Sequence, residues 1–376
     1  MGEGTLPEGF SLPVRAIWSP TPGQIRLLRP NGEVERDVRL PYPAGGYFSS
    51  LSEDGSLAIL RSAGAVVRGS GRFSTRVVDL KEERVLFEGE TTGDEAFFPS
   101  PGGEMVLHRH SGRASALRRP DWSLIKSMDM IVTKWDFSKE YLATLEVDLE
   151  RKDTERTHLL GGSNKGPLYL RAYDFDGDVV LDEFLDEIST AIQIDTNDNG
   201  TIAALYRTHD IHWTPPRTFG HSVFILILAD IKKRKIERRW FTVERSTDDV
   251  GMARSPNGRY LALSVFLDRD VDLYDVDTIL ATPDTLCRPL RSSAMPDSFK
   301  FLGVSGRGIV LAEALCTEGD HRFQRVMVSD LDGTWSTLPA PDLDLNHRIQ
   351  CRFFGPEDDL LLRHGQLFKC FRIRRE

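Results

Sequence analysis

Residues 250–277, VGMARSPNGRYLALSVFLDRDVDLYDVD, carry the pattern that most constrains the fold. Met252-Ala253 lead into a Ser-Pro-Asn-Gly turn at residues 255–258. A second apolar run follows at 260–266, and a third ends in Leu273-Tyr274-Asp275-Val276. Short β-rich runs punctuated by Asn-Gly and Asp predict consecutive antiparallel strands rather than helix. The phrase recurs. Its first hairpin turns at Glu53-Asp54-Gly55, Pro101-Gly102-Gly103, Ser138-Lys139 and Asp198-Asn199-Gly200, then at Asn257-Gly258, Ser305-Gly306 and Pro356-Glu357. A second hairpin is marked by an apolar–Asp–apolar element around Asp79, Asp174, Asp230, Asp275 and Asp330, with a weaker copy at Pro120-Asp121-Trp122. Aspartate there accepts hydrogen bonds from the next backbone amides and sets a turn, so these carboxylates are read as structural, not catalytic.

Four short strands per unit of roughly 40–60 residues predict a β-propeller. A lone four-stranded blade leaves two apolar faces, and radial packing buries them. The expected architecture is therefore all-β: a seven-bladed β-propeller of four-stranded antiparallel blades, closed by N- and C-terminal strands. Residues 349–373 offer three strands, and the N-terminal segment 33–40 is expected to complete that last blade. In the alternative, residues 14–18 and 25–40 belong to an eighth blade. One domain over 1–376 is expected, with 1–12 as a flexible tail.

The stretch from Ala253 to Ala262 (ARSPNGRYLA) followed by Asp272-Leu273-Tyr274-Asp275-Val276 resembles a blade of the WD-repeat or TolB-type propellers. Residues 48–60, FSSLSEDGSLAIL, are a second such copy. The resemblance covers essentially the whole chain. No blade carries the Gly-His near its start and none ends in the Trp-Asp that mark WD repeats, so the resemblance implies a fold and no particular activity. Families of this kind serve mostly as interaction platforms, with a minority of hydrolases and lyases.

Composition narrows the function. Lys plus Arg total 48 against 57 for Asp plus Glu, a net charge of -9, which argues against a nucleic-acid binder. The start, MGEGTLPEGFSLP, lacks the basic and apolar regions of a secretory leader, and Leu6 breaks a myristoylation pattern. The apolar run at 223–229 is far too short to span a bilayer. Cys287, Cys316, Cys351 and Cys370 show no metal-type spacing and are sparse for a disulfide scaffold. A soluble protein in the reducing cytoplasm is expected.

In a blade whose strands run a, b, c, d outward, the b–c and d–a connections share one edge. Here the long b–c loops are expected at 63–73, 146–167, 208–220 and 313–323. Binding residues collect in such loops. His108, His110, His158, His209, His212, His221, His321 and His364 map to these loops or their edges, and His347 to a d–a connection. They predict either a metal or acid–base site at the channel mouth, or ordinary loop polarity. The densest cluster is Thr208-His209-Asp210-Ile211-His212-Trp213, closing at His221. It offers His209, His212 and His221 as metal ligands, or Trp213 as an anchor for a partner in a proline-stiffened loop. Residues 195–200 match half of a calcium loop but have Tyr206 where a glutamate is needed, so they are read as a turn. Lys232-Lys233-Arg234-Lys235 is read as a solvated turn. A nucleophile elbow and a phosphate-binding loop are both missing from the sequence.

The expected function is that of a protein–protein interaction scaffold binding another protein across the b–c face, with no nucleic acid and no membrane. Contacts are expected from Trp213, His209, His212, Arg68 and Arg72 and the 146–167 insertion, and no cofactor is required. The alternative is a propeller lyase or hydrolase with a histidine-rich site and one divalent metal ion. A small ligand in the channel is a third option.

Overall fold

The computed structural model describes residues 15–18, 24–28, 34–39, 46–52, 54–63, 71–110, 115–148, 166–197, 200–208, 222–243, 250–265, 270–281, 289–294, 299–318, 321–329, 334–338, 349–354, 359–364 and 367–372. The expected N-terminal tail lies outside them. The chain divides into two compact units, Thr5–Leu185 and Asp186–Glu376, the latter with Met1–Gly4.

The first unit opens with a three-stranded sheet of β1 (Arg15–Trp18), β2 (Gln24–Leu28) and β3 (Val34–Arg39). Next come β4 (Gly46–Leu51), β5 (Leu57–Ala63), β6 (Arg72–Asp79) and β7 (Arg84–Thr92), paired in that order. A third sheet holds β8 (Glu95–Pro99), β9 (Val106–His110), β10 (Ala116–Arg118) and β11 (Leu124–Ser127). The fourth begins with β12 (Ile131–Phe137), β13 (Tyr141–Val147), β14 (Gly166–Asp174) and the 18-residue β15 (Val179–Thr196), and its ladder continues along β15 as one seven-stranded sheet.

In the second unit the rest of β15 pairs with β16 (Thr201–Thr208), followed by β17 (Ser222–Asp230) and β18 (Lys235–Val243). Then come β19 (Val250–Arg254), β20 (Tyr260–Val265), β21 (Asp270–Asp275) and β22 (Arg291–Ala294). A further sheet holds β23 (Phe299–Val304), β24 (Val310–Glu318), β25 (His321–Ser329) and β26 (Trp335–Thr337). The last sheet is three-stranded, with β27 (Ile349–Phe354), β28 (Asp359–His364) and β29 (Leu367–Arg372). Each sheet is an antiparallel up-and-down meander, the blade of a β-propeller.

Alternation along each strand fills the space between consecutive sheets. In β20, Leu261 and Leu263 pack with Leu205, Phe224 and Leu226 of one neighbour, while Ala262 packs with Val310 and Ala312 of the other. Likewise Ile309 and Leu311 turn away from that contact toward Ile349, Leu360 and Leu362. Because both faces are covered, central strands such as β17 (SVFILILAD) read as continuous apolar runs instead of alternating ones.

Turn chemistry repeats with the sheets. In six hairpins along the chain, a side-chain oxygen accepts the amide at the start of the second strand. The pairs are Ser52–Leu57, Ser100–Met105, Ser138–Tyr141, Asn197–Thr201, Ser255–Tyr260 and Ser305–Ile309, at 2.8–3.1 Å. Gly55, Gly103, Gly200, Gly258 and Gly308 take the positive φ, from 70° to 85°, that five of these turns require. Four of the predicted turn aspartates do what was expected of them, and Asp330 lies outside the described residues. Asp79 accepts from the amides of Lys81 and Glu82, Asp121 from Ser123, Asp174 from Asp176 and Asp178, and Asp230 from Lys233. Lys232, Lys233 and Arg234 lie in an exposed turn and Lys235 opens β18; Asp195 and Thr196 end β15, and Asp198 and Asn199 lie outside the described residues.

Two expectations change. Asp275 does not close a hairpin; it accepts the Thr278 amide at 3.1 Å and caps helix α1 (Val276–Ala281), which buries Val276 and Ile279. Residues 313–323 are not a long loop, because β24 and β25 stay paired out to Glu318 and His321. In the N-terminal segment, β3 pairs with β2.

Candidate functional site

Hairpin register brings together a polar cluster at one end of the third sheet. Glu95 opens β8 and stands opposite His110, the last residue of β9; Phe97 stands opposite His108. The spacing of two puts His108 and His110 on one face of the strand, and their rings lie 4.2 Å apart. This end of the sheet is the edge from which the b–c and d–a connections leave.

Each group is held by neighbours. Nε2 of His108 lies 3.4 Å from one Glu95 oxygen, and Nδ1 of His110 lies 3.8 Å from the other. Both separations are long for a hydrogen bond. Arg118 on β10 donates from Nε to Nδ1 of His108 at 3.1 Å and from Nη1 to the Trp122 carbonyl at 2.9 Å. Phe97 and Trp122 flank His108, and Trp122 stacks on Phe87 of β7. Arg61 of β5, buried beneath Phe73 and Phe97, clamps the connection into β8 by donating to the carbonyls of Glu95 at 3.0 Å and Thr92 at 2.5 Å. Burial lowers the pKa of His108 to about 4; the adjacent His110 and Arg118 add to this and outweigh Glu95. At neutral pH His108 is therefore uncharged. Because Nδ1 accepts from Arg118, its proton sits on Nε2, facing Glu95.

A second network centres on an enclosed carboxylate. Glu146 on β13, with no exposed side-chain surface, accepts from Thr144 at 2.7 Å, Tyr173 at 2.8 Å and Arg171 at 3.3 Å. Arg171 also reaches Asp129 and Asp182. Burial raises the Glu146 carboxyl above its ordinary value despite these partners. Glu146 was expected at the mouth of a loop; it is part of the interior. A cavity of about 220 Å³ is lined by Ser50, Phe98, Pro99, Pro101, Trp135, Asp136 and Phe137, from or beside the first strands of three consecutive sheets.

Of the residues singled out in the sequence, His209, His212, Trp213, His221 and Arg68 lie outside the described residues, as do His158 and His347. Arg72 opens β6, where it is exposed and paired with Glu90 at 3.2 Å. His321 and His364 are on strands. Cys351 is half-buried, with its thiol pushed up to about 12 by burial.

The sheets define an all-β protein of the β-propeller class, built of antiparallel blades. No family model matches the chain, and no curated protein matches it. Among solved structures, one similar chain is the β-propeller domain of Myceliophteria thermophila Cps50 (Swd1), 12% identical over 89% of this chain and 99% of that one, with a TM-score of 0.46. Another is Kluyveromyces lactis Hsv2p, 11% identical over 85% and 94%, with a TM-score of 0.46. A third is an oligogalacturonate lyase in complex with manganese, 14% identical over 96% and 95%, with a TM-score of 0.45. The class assignment rests on the strand ladders. Among the described residues, no helix is long and apolar enough to cross a membrane.

Proposed function

We propose that the chain is a protein-interaction platform that offers the b–c edge of its blades to another protein. What supports this reading is the contrast between the two edges. At the a–b edge, a serine or asparagine latch closes each of six turns within a few residues. At the b–c edge the chain leaves β13 after Val147 and returns at Gly166, and leaves β16 after Thr208 and returns at Ser222. Long connections on a rigid, filled scaffold are where recognition residues collect. His209, His212 and Trp213 belong to one such connection, Arg68 to another, and Arg72 opens the strand beside it. Tryptophan and arginine are the side chains that most often carry interface energy. The net charge of -9 favours a protein over a nucleic acid as the partner. Sparse cysteines, with Cys316 and Cys351 unpaired, suit a reducing, cytoplasmic setting.

The test compares two sets of substitutions in co-purification with the partner. Trp213→Ala with Arg68→Glu and Arg72→Glu alters the b–c edge; Lys232→Glu with Lys233→Glu and Lys235→Glu alters the opposite one. Loss of the partner in the first set alone supports the reading. Loss in the second set alone overturns it.

A further inference from the structure

We propose that Glu95, His108 and His110 form a binding site for one divalent transition-metal ion of the zinc class, and that Arg118 sets how tightly it is held. The three side chains offer ligand atoms that all lie within 4.8 Å of one another. The two carboxylate–imidazole separations, 3.4 and 3.8 Å, exceed those of good hydrogen bonds. They approach the roughly 3.3–3.4 Å edge of a tetrahedron whose metal–ligand bonds are about 2.0–2.1 Å. The two carboxylate–imidazole pairs thus stand near coordination spacing. Nε2 of His108 is buried and has no hydrogen-bond partner among the described residues. A buried polar nitrogen left without a partner is costly, and an ion would supply one.

The donor set is two imidazoles and one carboxylate, a combination suited to zinc with its fourth position open. His108 is 7% exposed, Glu95 14% and His110 25%, so His110 is the outermost ligand and marks the open side. The site is independent of the partner-binding reading, since none of its residues lies in the long connections.

Arg118 opposes the ion for a stated chemical reason. Its Nε–H occupies Nδ1 of His108. A neutral imidazole that accepts at Nδ1 carries its proton on Nε2, and a protonated nitrogen has no lone pair for a metal. Coordination through Nε2 therefore needs that proton on Nδ1, which Arg118 must vacate. Metal-bound histidines ordinarily donate their second N–H to an acceptor, and such outer partners are worth about 10–100-fold in affinity. Replacing Arg118 with glutamine substitutes an oxygen that can accept from Nδ1–H.

The experiment titrates Co2+ into the full chain, reading the visible absorption band of four-coordinate cobalt, with Zn2+ displacement and circular dichroism on every variant. The expected results are one saturable site in the wild type, and loss of band and site in His110→Ala and in Glu95→Gln. Arg118→Gln is expected to tighten binding about tenfold. Binding unchanged in His110→Ala and Glu95→Gln would assign the ion elsewhere and overturn the site. A wild type and an Arg118→Gln variant that both fail to bind, while folded, would overturn it too. Equal affinity in Arg118→Gln and wild type would overturn the role given to Arg118.

Discussion

Ser255 Oγ accepts the backbone amide of Tyr260 at 2.8 Å, and both residues of this latch are set by a turn that returns in sheet after sheet. The same hydroxyl donates to Asn257 Oδ1 at 2.7 Å, and Ser255 is buried. Removing such an oxygen leaves a strand-opening amide unsatisfied inside the protein.

Ser255→Ala and Ser305→Ala are each expected to cost about 1–3 kcal/mol in denaturant unfolding, the penalty for an orphaned buried donor. The fourth latch along the chain supplies an internal control. There Asn197 Oδ1 does the work of the serine, accepting the Thr201 amide at 3.0 Å. Asn197→Ser should stay within about 1 kcal/mol of the wild type, whereas Asn197→Ala should cost as much as the serine deletions. Equal losses for both Asn197 variants would mean that the oxygen is not what matters.

Gly258 has a φ of 74°, and a Cβ built there would stand 2.6 Å from Asn197 Nδ2. Gly258→Ala should therefore destabilise by about 1–3 kcal/mol through backbone strain and crowding together. Gly303 has open space around it and a φ outside the left-handed region, so Gly303→Ala should be neutral or slightly stabilising. Thermal midpoints of the two variants check the contrast.

Arg171 is the cation nearest Glu146, and breaking a buried pair by removing one partner costs about 3–5 kcal/mol. Arg171→Met should fall in that range, reduced in part because Arg171 also serves the exposed carboxylates of Asp129 and Asp182. The loss should depend on pH. Burial already raises the Glu146 carboxyl, and without the guanidinium it rises further. A folded-state value above the unfolded one means that stability is lost as pH rises through the folded value. The variant should accordingly lag the wild type more at pH 8 than at pH 5. A constant gap would show that losing Arg171 does not raise the Glu146 carboxyl further.

Turns were the most legible part of the sequence, because Gly258, Asp174 and Asp230 act within a few residues of themselves. Long-range pairing decided what was misread. Residues 313–323 contain charged and polar side chains that suit a loop, yet β24 and β25 hold them in a ladder to Glu318 and His321. Val276-Asp277-Thr278-Ile279 looks like the end of a strand; the Asp275 cap and the buried Ile279 make it a helical turn. The histidine cluster left a partial trace, since His108 and His110 are two apart and so share a strand face. Glu95 could be found only by counting outward from the Pro101-Gly102-Gly103 turn, which sets Glu95 opposite His110. Arg118 and Arg61 gave no local signal, because their roles depend on side chains reaching across strands.

Recognition of a protein at the b–c edge is tested by site-specific photo-crosslinking. A photoreactive residue is placed singly at Arg72, beside a b–c connection, and at Lys233, in an exposed turn at the opposite edge. A covalent adduct with the partner is expected from position 72 and none from position 233. An adduct from position 233 alone would refute recognition at the b–c edge.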